Sequence, residues 1–308
     1  MAARPISPRG YQRVALLALL GLPLIIVVGG AVRLTGSGLG CPEWPNCDTD
    51  RLVAPTEYHA LVEFVNRLLS GLVGLPILLA ARGAWRRRPR RRDLVWLSSG
   101  LLAGVVVQVL IGRLTVTSDL SPPVVMAHFL LAMAMLANGV VLHWAAGRAD
   151  GSEGRPLVAP DLRRLGSLIV GATALVVVLG SFVTAAGPHG GDENAPRLDL
   201  PLRSAAQLHG ATVVLLLLMV TAMLVLLRRA EAPAGVRQRA AALMAVLLAQ
   251  AAIGYAQYFT GVPALLVGLH IAGAVAVWIA ALRFRLGLVD QDPLESPMAA
   301  EERALVPA

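Results

Sequence analysis

"QVLIGRLTVTSDLSPPVVMAH", residues 108–128, and "QAAIGYAQYFTGVPALLVGLH", residues 250–270, align without a gap. Both begin Gln-x-x-Ile-Gly, and in both a His stands 20 residues after the Gln. Each stretch carries the end of one apolar run, a short turn and the start of the next run. A helical hairpin has therefore been used twice. What surrounds the two copies decides the fold.

The chain has 308 residues, of which 56% are hydrophobic and 15% charged. Eight apolar runs lie near 12–32, 58–81, 94–114, 123–146, 165–186, 203–227, 240–259 and 262–284. Each is close to the roughly 20 residues that an α-helix needs to cross hydrocarbon. Lipid admits only helices and closed barrels. The runs are continuous rather than alternating, so they read as helices. The repeat equates helices three and four with seven and eight. Four spans preserve orientation, so the copies form a parallel repeat about an axis along the membrane normal. The expected fold is an all-α integral membrane protein of eight helices in two pseudo-symmetric four-helix bundles. The expected division is an N-terminal half (1–146), a linker (147–164), a C-terminal half (165–285) and a disordered acidic tail (286–308).

The net charge of +8 is concentrated in alternate loops, above all "RGAWRRRPRRR" at 82–92. The intervening loops carry Glu43, Asp48, Asp119, Asp192 and Glu193. This is the positive-inside distribution of a membrane protein. It argues against a nucleic-acid partner and puts both termini in the cytoplasm. The first run lacks a small-x-small cleavage site and is read as a retained helix rather than a signal peptide.

Four of the six histidines, His59, His128, His209 and His270, fall toward the outer ends of inward-running helices, which predicts one shared depth. A single membrane histidine often makes only an interhelical hydrogen bond. Four arranged by a repeat point to a common ligand role. Imidazoles on facing helices suit haem iron, which takes axial ligands from opposite sides. Zinc prefers a tighter cluster of three or four ligands. The natural division is one haem between His209 and His270 and a related site in the first half. Extending the repeat backward from His209 leads to Asn66, where a histidine is missing. His59, Glu63 and Asn66 share a helical face, with Arg67 at its edge. Glu63 is a candidate to steer protons or stabilise positive charge, and the plain alternative is an ion pair with Arg67 at i+4. His143 reads as an interfacial residue and His189 as a loop residue or pocket lid. Arg33 and Arg113 read as propionate partners or as snorkelling side chains.

Cys41 and Cys47, in "GSGLGCPEWPNC", are the only cysteines. On the outer side they are expected to form a structural or redox-labile disulfide. "GSGLG" has the composition of a phosphate loop, but it follows a membrane helix rather than a strand, which excludes that reading.

The motifs "GGAVRLTGSGLGCPEWPNC", "EFVNR", "SPPVVMAH", "QLHG" and "GLH" together resemble the heme A synthase family, of the bacterial eight-helix type in an actinobacterial-like variant. The resemblance covers all eight helices. It implies oxidation of the C8 methyl of haem O to a formyl group by two hydroxylations and loss of water, for terminal oxidase biogenesis in the plasma membrane. It implies haem b ligated by His209 and His270, and haem O as substrate ligated by His128. It makes Glu63 catalytic, and His59, Asn66 and Arg67 substrate-site residues. It gives Cys41 and Cys47 a part in haem transfer or loop stability. Haem O synthase and an electron donor are the implied partners, and self-association into a homo-oligomer is compatible with it. The family pattern in the second helix is Glu-x-x-His-Arg, whereas this chain has Asn66 in the histidine's place. The competing functions are a membrane cytochrome b without enzymatic activity, and a haem transporter or assembly factor. Glu63 and the broken histidine symmetry favour the enzyme.

Overall fold

The structure, a computed structural model, describes residues 6–41, 43–47, 53–290 and 294. Eight helices account for most of it: α1 (Pro8–Leu34), α2 (Tyr58–Arg86), α3 (Arg92–Thr117), α4 (Pro122–Ala146), α5 (Pro160–Ala186), α6 (Leu202–Arg229), α7 (Ala234–Phe259) and α8 (Ala264–Leu286). All eight are long and apolar enough to cross a membrane, as expected for a multi-pass membrane protein. Their starts follow local chemistry. Proline stands in the first helical turn of α1, α4 and α5 and at the N-cap of α6, α7 and α8. There its missing N–H costs nothing, and its fixed φ suits the turn. Ser7 caps α1, its Oγ accepting from the Gly10 N–H at 3.1 Å.

The packing repeats as the sequence does. In the first half α1 packs on α2, α2 on α3, α3 on α4, and α1 on α4. In the second, α5 packs on α6, α6 on α7, α7 on α8, and α5 on α8. The halves meet through α1, α4, α5 and α8. There the Trp278 indole N–H donates to the Met133 carbonyl at 2.9 Å. Close approach across helices relies on small residues, because lipid supplies no hydrophobic driving force between spans. Gly139 is an example: a Cβ there would lie 2.7 Å from the Leu22 side chain.

Even the turns correspond. Asp119 and Leu120 end the α3–α4 turn at φ 49° and 59°, and Gly261 and Val262 end the α7–α8 turn at 81° and 60°. The Leu120 N–H donates to the Thr115 carbonyl, and the Val262 N–H to the Gln257 carbonyl. A β-branched residue is costly in this left-handed region. The surrounding bonds hold Val262 there, and its carbonyl in turn accepts from His189 Nε2 at 2.8 Å.

At the end of the bundle where α1 begins and α8 ends, the arginine-rich loop is partly interior. The Arg87 side chain is fully buried and pairs with Asp150 at 2.7 Å. Arg91 and Arg148 converge on Asp93 at 2.5 and 3.3 Å. The linker and tail also differ from the sequence expectation. The α8 helix runs on to Leu286, Leu288 is completely buried, and strand β2 (Val289–Asp290) pairs antiparallel with β1 (Arg155–Pro156). The expected tail is therefore ordered over 286–290, because an apolar side chain and a strand edge find partners in the linker. Most of its remainder lies outside the described residues.

Candidate functional site

In the second half His209 and His270 face each other, with ring centroids 6.3 Å apart. An imidazole nitrogen binds a transition metal at about 2 Å. Two rings on opposite faces of one ion therefore stand about 6 Å apart, which is the separation found. His209 Nδ1 donates to the Val176 carbonyl at 3.1 Å. A carbonyl only accepts, so this bond places the proton on Nδ1 and leaves Nε2 free to ligate. His270 Nδ1 is buried with no hydrogen-bond partner. Buried polar atoms are normally satisfied, so the ring retains a capacity that the protein does not use. Glycines make room for both rings. A Cβ at Gly180 would lie 3.1 Å from the His209 ring, and one at Gly254 3.0 Å from the His270 ring. Among the described residues no group of three or more His, Cys, Asp or Glu gathers as a metal cluster. A two-imidazole set between helices fits a haem and not a closed zinc site.

The first half reproduces one side of this arrangement. The Gln108 side-chain amide donates to the His128 carbonyl at 3.1 Å, and the Gln250 amide to the His270 carbonyl at 2.7 Å. Gly112 lies behind His128 as Gly254 lies behind His270, and His128 Nδ1 is likewise buried and unpaired. His128 and His270 are each the seventh residue of their helices, His209 the eighth, and Asn66 the ninth.

His59 does not share that depth. It is the second residue of α2, about 10 Å along the helix from Asn66 at 1.5 Å per residue. It is exposed, and its Nδ1 lies 2.9 Å from the Ser37 hydroxyl. The sequence grouped His59, Glu63 and Asn66, but the contacts group His59, Glu63 and Arg67, one row at steps of four. This row docks the α1–α2 loop. Glu63 is 5% exposed, and its Oε2 accepts from the Cys41 N–H at 2.8 Å. Its Oε1 pairs with Arg67 Nη2 at 2.5 Å. Arg67 Nη1 donates to the carbonyls of Glu43, Pro45 and Asn46. Cys41 and Cys47 are joined in a disulfide and buried. Gly40 lies so close to α2 that a Cβ would meet the His59 carbonyl at 2.3 Å, so the position requires glycine. The i,i+4 ion pair is thus present, and it serves as the clasp of the disulfide loop.

The two arginines at helix ends also have partners. Arg33 does not snorkel: its Nε donates to the His189 carbonyl at 2.5 Å and its Nη2 to the Thr184 carbonyl at 2.7 Å. The Gly38 N–H donates to the Gly191 carbonyl at 2.8 Å. The α1–α2 loop is therefore latched onto the α5–α6 loop, which the sequence did not reveal. Arg113 lies over the Trp44 ring at 5.7 Å, a further contact to the disulfide loop. His189 is a loop residue tied to the α7–α8 turn. His143 lies half-buried near the far end of α4.

Another correspondence was legible but missed. "VVGGAVRLTG", residues 27–36, and "VLGSFVTAAG", residues 178–187, align so that Gly29 matches Gly180. Gly180 backs onto the His209 ring, whereas a Cβ at Gly29 would have nothing within 4 Å.

The chain is similar to several known proteins. A heme A synthase from Shouchella clausii is 29% identical over 135 residues, 44% of this chain and 45% of that protein. One from Alkalihalophilus pseudofirmus is 30% identical over 146 residues, 47% of this chain and 48% of that protein. One from Geobacillus kaustophilus is 31% identical over 121 residues, 39% of this chain and 38% of that protein. The chain spans about half the length or less of these curated relatives where it matches them. The family model described as cytochrome oxidase assembly protein matches residues 12–188, which is more than half of the chain and includes the disulfide loop, Glu63, Arg67 and His128. The chain belongs to the cytochrome oxidase assembly protein family.

Proposed function

We propose that this protein is a heme A synthase, oxidising the C8 methyl group of haem O to a formyl group for terminal oxidase biogenesis. The observation that carries the reading is the facing pair His209 and His270, 6.3 Å apart, together with a related first-half site in which His128 keeps its place and Asn66 does not. An electron carrier alone gives no reason for the two sites to differ. The relatives named heme A synthase support the same reading.

In this account His209 and His270 hold a resident haem b, which when bound supplies one-electron transfer. His128 would hold haem O, the substrate, whose methyl is hydroxylated twice, each time with one atom of dioxygen entering a C–H bond and the other leaving as water with two electrons from the donor, and the resulting diol then loses one water. Glu63 serves as the catalytic carboxylate. Both its oxygens already accept, one from Arg67 and one from the Cys41 N–H, so it acts as a fixed negative charge that favours positive character developing nearby. Arg67, His59 and the disulfide close that end of the site and limit access of water. The proposed location is the plasma membrane, and the arginine distribution supports an orientation with both termini cytoplasmic. Haem O synthase, an electron donor and the terminal oxidase are the proposed partners.

The test is to produce the protein with a haem O synthase and identify the extracted haems by mass. Haem A is the expected product. Only haems b and o, with a working electron supply, contradict the proposal.

A further inference from the structure

We propose that the first-half site holds its haem by one protein ligand, His128, and leaves the opposite axial position, on the Asn66 side, open to a small oxygen-class ligand such as water or dioxygen. This rests on the haem reading above and sharpens it.

The internal repeat is the starting point. Extending the repeat backward in sequence matches Asn66, the ninth residue of α2, with His209, the eighth residue of α6. The carboxamide is too short to put an imidazole-like nitrogen where the His209 ring reaches. Its Oδ1 is buried without a partner, so a terminal atom of the amide is available to a non-protein group. The matching glycines of α1 and α5 also differ in their surroundings. In the second half the glycine of α5, Gly180, lies against the His209 ring, whereas its counterpart Gly29 has no heavy atom within 4 Å of where a Cβ would sit. No side chain is packed against Gly29 as the His209 ring is packed against Gly180.

Among the described residues no other side chain is offered for the position. Apart from His59, α2 contains no histidine, methionine, cysteine or lysine, and α1 contains none at all. His59 lies about 10 Å further along the helix, with its Nδ1 engaged by Ser37. His189 is committed to the Val262 carbonyl, His143 is at the far end of α4, and both cysteines are in the disulfide. Glu63 and Arg67 are spent on each other and on the loop. An iron held from one side by a single histidine accepts an exogenous ligand on the other, and the polarity and donors of that side govern what binds. The polar atom found unpartnered on that side is the Asn66 Oδ1, which can accept a hydrogen bond from a bound water. A bis-histidine site such as the second-half pair has no such opening.

The experiment uses the full chain, purified in detergent, saturated with haem b and reduced, with carbon monoxide as the probe. The expected result is two haem populations: one low-spin and silent to carbon monoxide, the other binding it. Asn66→His is expected to abolish carbon monoxide binding in the reduced protein and, in the same protein before reduction, to double the ferric low-spin signal in electron paramagnetic resonance. His143→Ala, at the far end of α4, is expected to leave carbon monoxide binding unchanged. The inference is overturned if the wild type shows two low-spin haems that ignore carbon monoxide, if it binds only the low-spin haem, or if Asn66→His leaves carbon monoxide binding intact. A carbon-monoxide-reactive haem in a protein that never yields haem A would uphold this inference and defeat the enzymatic reading. A protein that binds no haem defeats both.

Discussion

The carboxylate of Glu63 accepts the backbone N–H of Cys41 at 2.8 Å, tying the disulfide loop directly to the membrane helix α2. Its other oxygen is held by Arg67, which also gathers three carbonyls of the same loop. Breaking a buried pair by removing one partner costs about 3–5 kcal/mol, since the remaining charge is left uncompensated. Glu63→Ala is therefore expected to loosen the loop and expose the disulfide. The rate at which a water-soluble phosphine reduces Cys41–Cys47 should rise at least tenfold, read by alkylation and mass. An unchanged rate would show that the clasp does not hold the loop.

Arg67→Lys should not restore the arrangement. One guanidinium contacts Glu63 on Nη2 and three carbonyls on Nη1, and an ammonium cannot span that fork. Haem A yield is expected to fall about tenfold in both Arg67→Ala and Arg67→Lys, while the low-spin spectrum of the second half persists. Full activity in the lysine variant would contradict this role.

Glycines behind the rings give a graded test. A Cβ at Gly254 or Gly180 would press the His270 or His209 ring at 3.0 and 3.1 Å, whereas one at Gly112 would make an ordinary 3.5 Å contact with His128 and one at Gly29 none. Gly254→Ala and Gly180→Ala are expected to shift the low-spin electron paramagnetic resonance signal or reduce haem content. Gly29→Ala should match the wild type. The ordering fails if Gly29→Ala is the most disturbed of the set.

Arg33, in the last turn of α1, is bonded to carbonyls 151 residues or more away, Thr184 at the end of α5 and His189 in the loop that follows. Hydrogen bonds to a charged group contribute about 1.5–3 kcal/mol each. Arg33→Ala is expected to make the 187–201 loop several-fold more sensitive to protease while leaving the His209–His270 spectrum in place. Equal protease resistance would show that the latch is immaterial.

Much of the architecture was legible because its signals are local. Apolar length announces each span, and the Gln108–His128 and Gln250–His270 copies preserve their hydrogen bonds along with their letters. The depth assigned to His59 was wrong because nearness in sequence to a helical face says nothing about a helix's first turn, where a loop hydroxyl competes for the ring. Arg33, Arg87 and Leu288 were misjudged for a different reason. Their partners, Thr184 and His189, Asp150, and the linker at Leu157, come from distant parts of the chain. Charge and hydropathy read along one segment do not contain them.

The central claim is that His209 and His270 hold one haem between them. The most direct measurement is the low-temperature absorption and electron paramagnetic resonance of His209→Ala and His270→Ala proteins, purified with haem. The account predicts that the low-spin signal is lost in each variant, while haem bound in the first half remains. A low-spin spectrum that survives in both variants would contradict it.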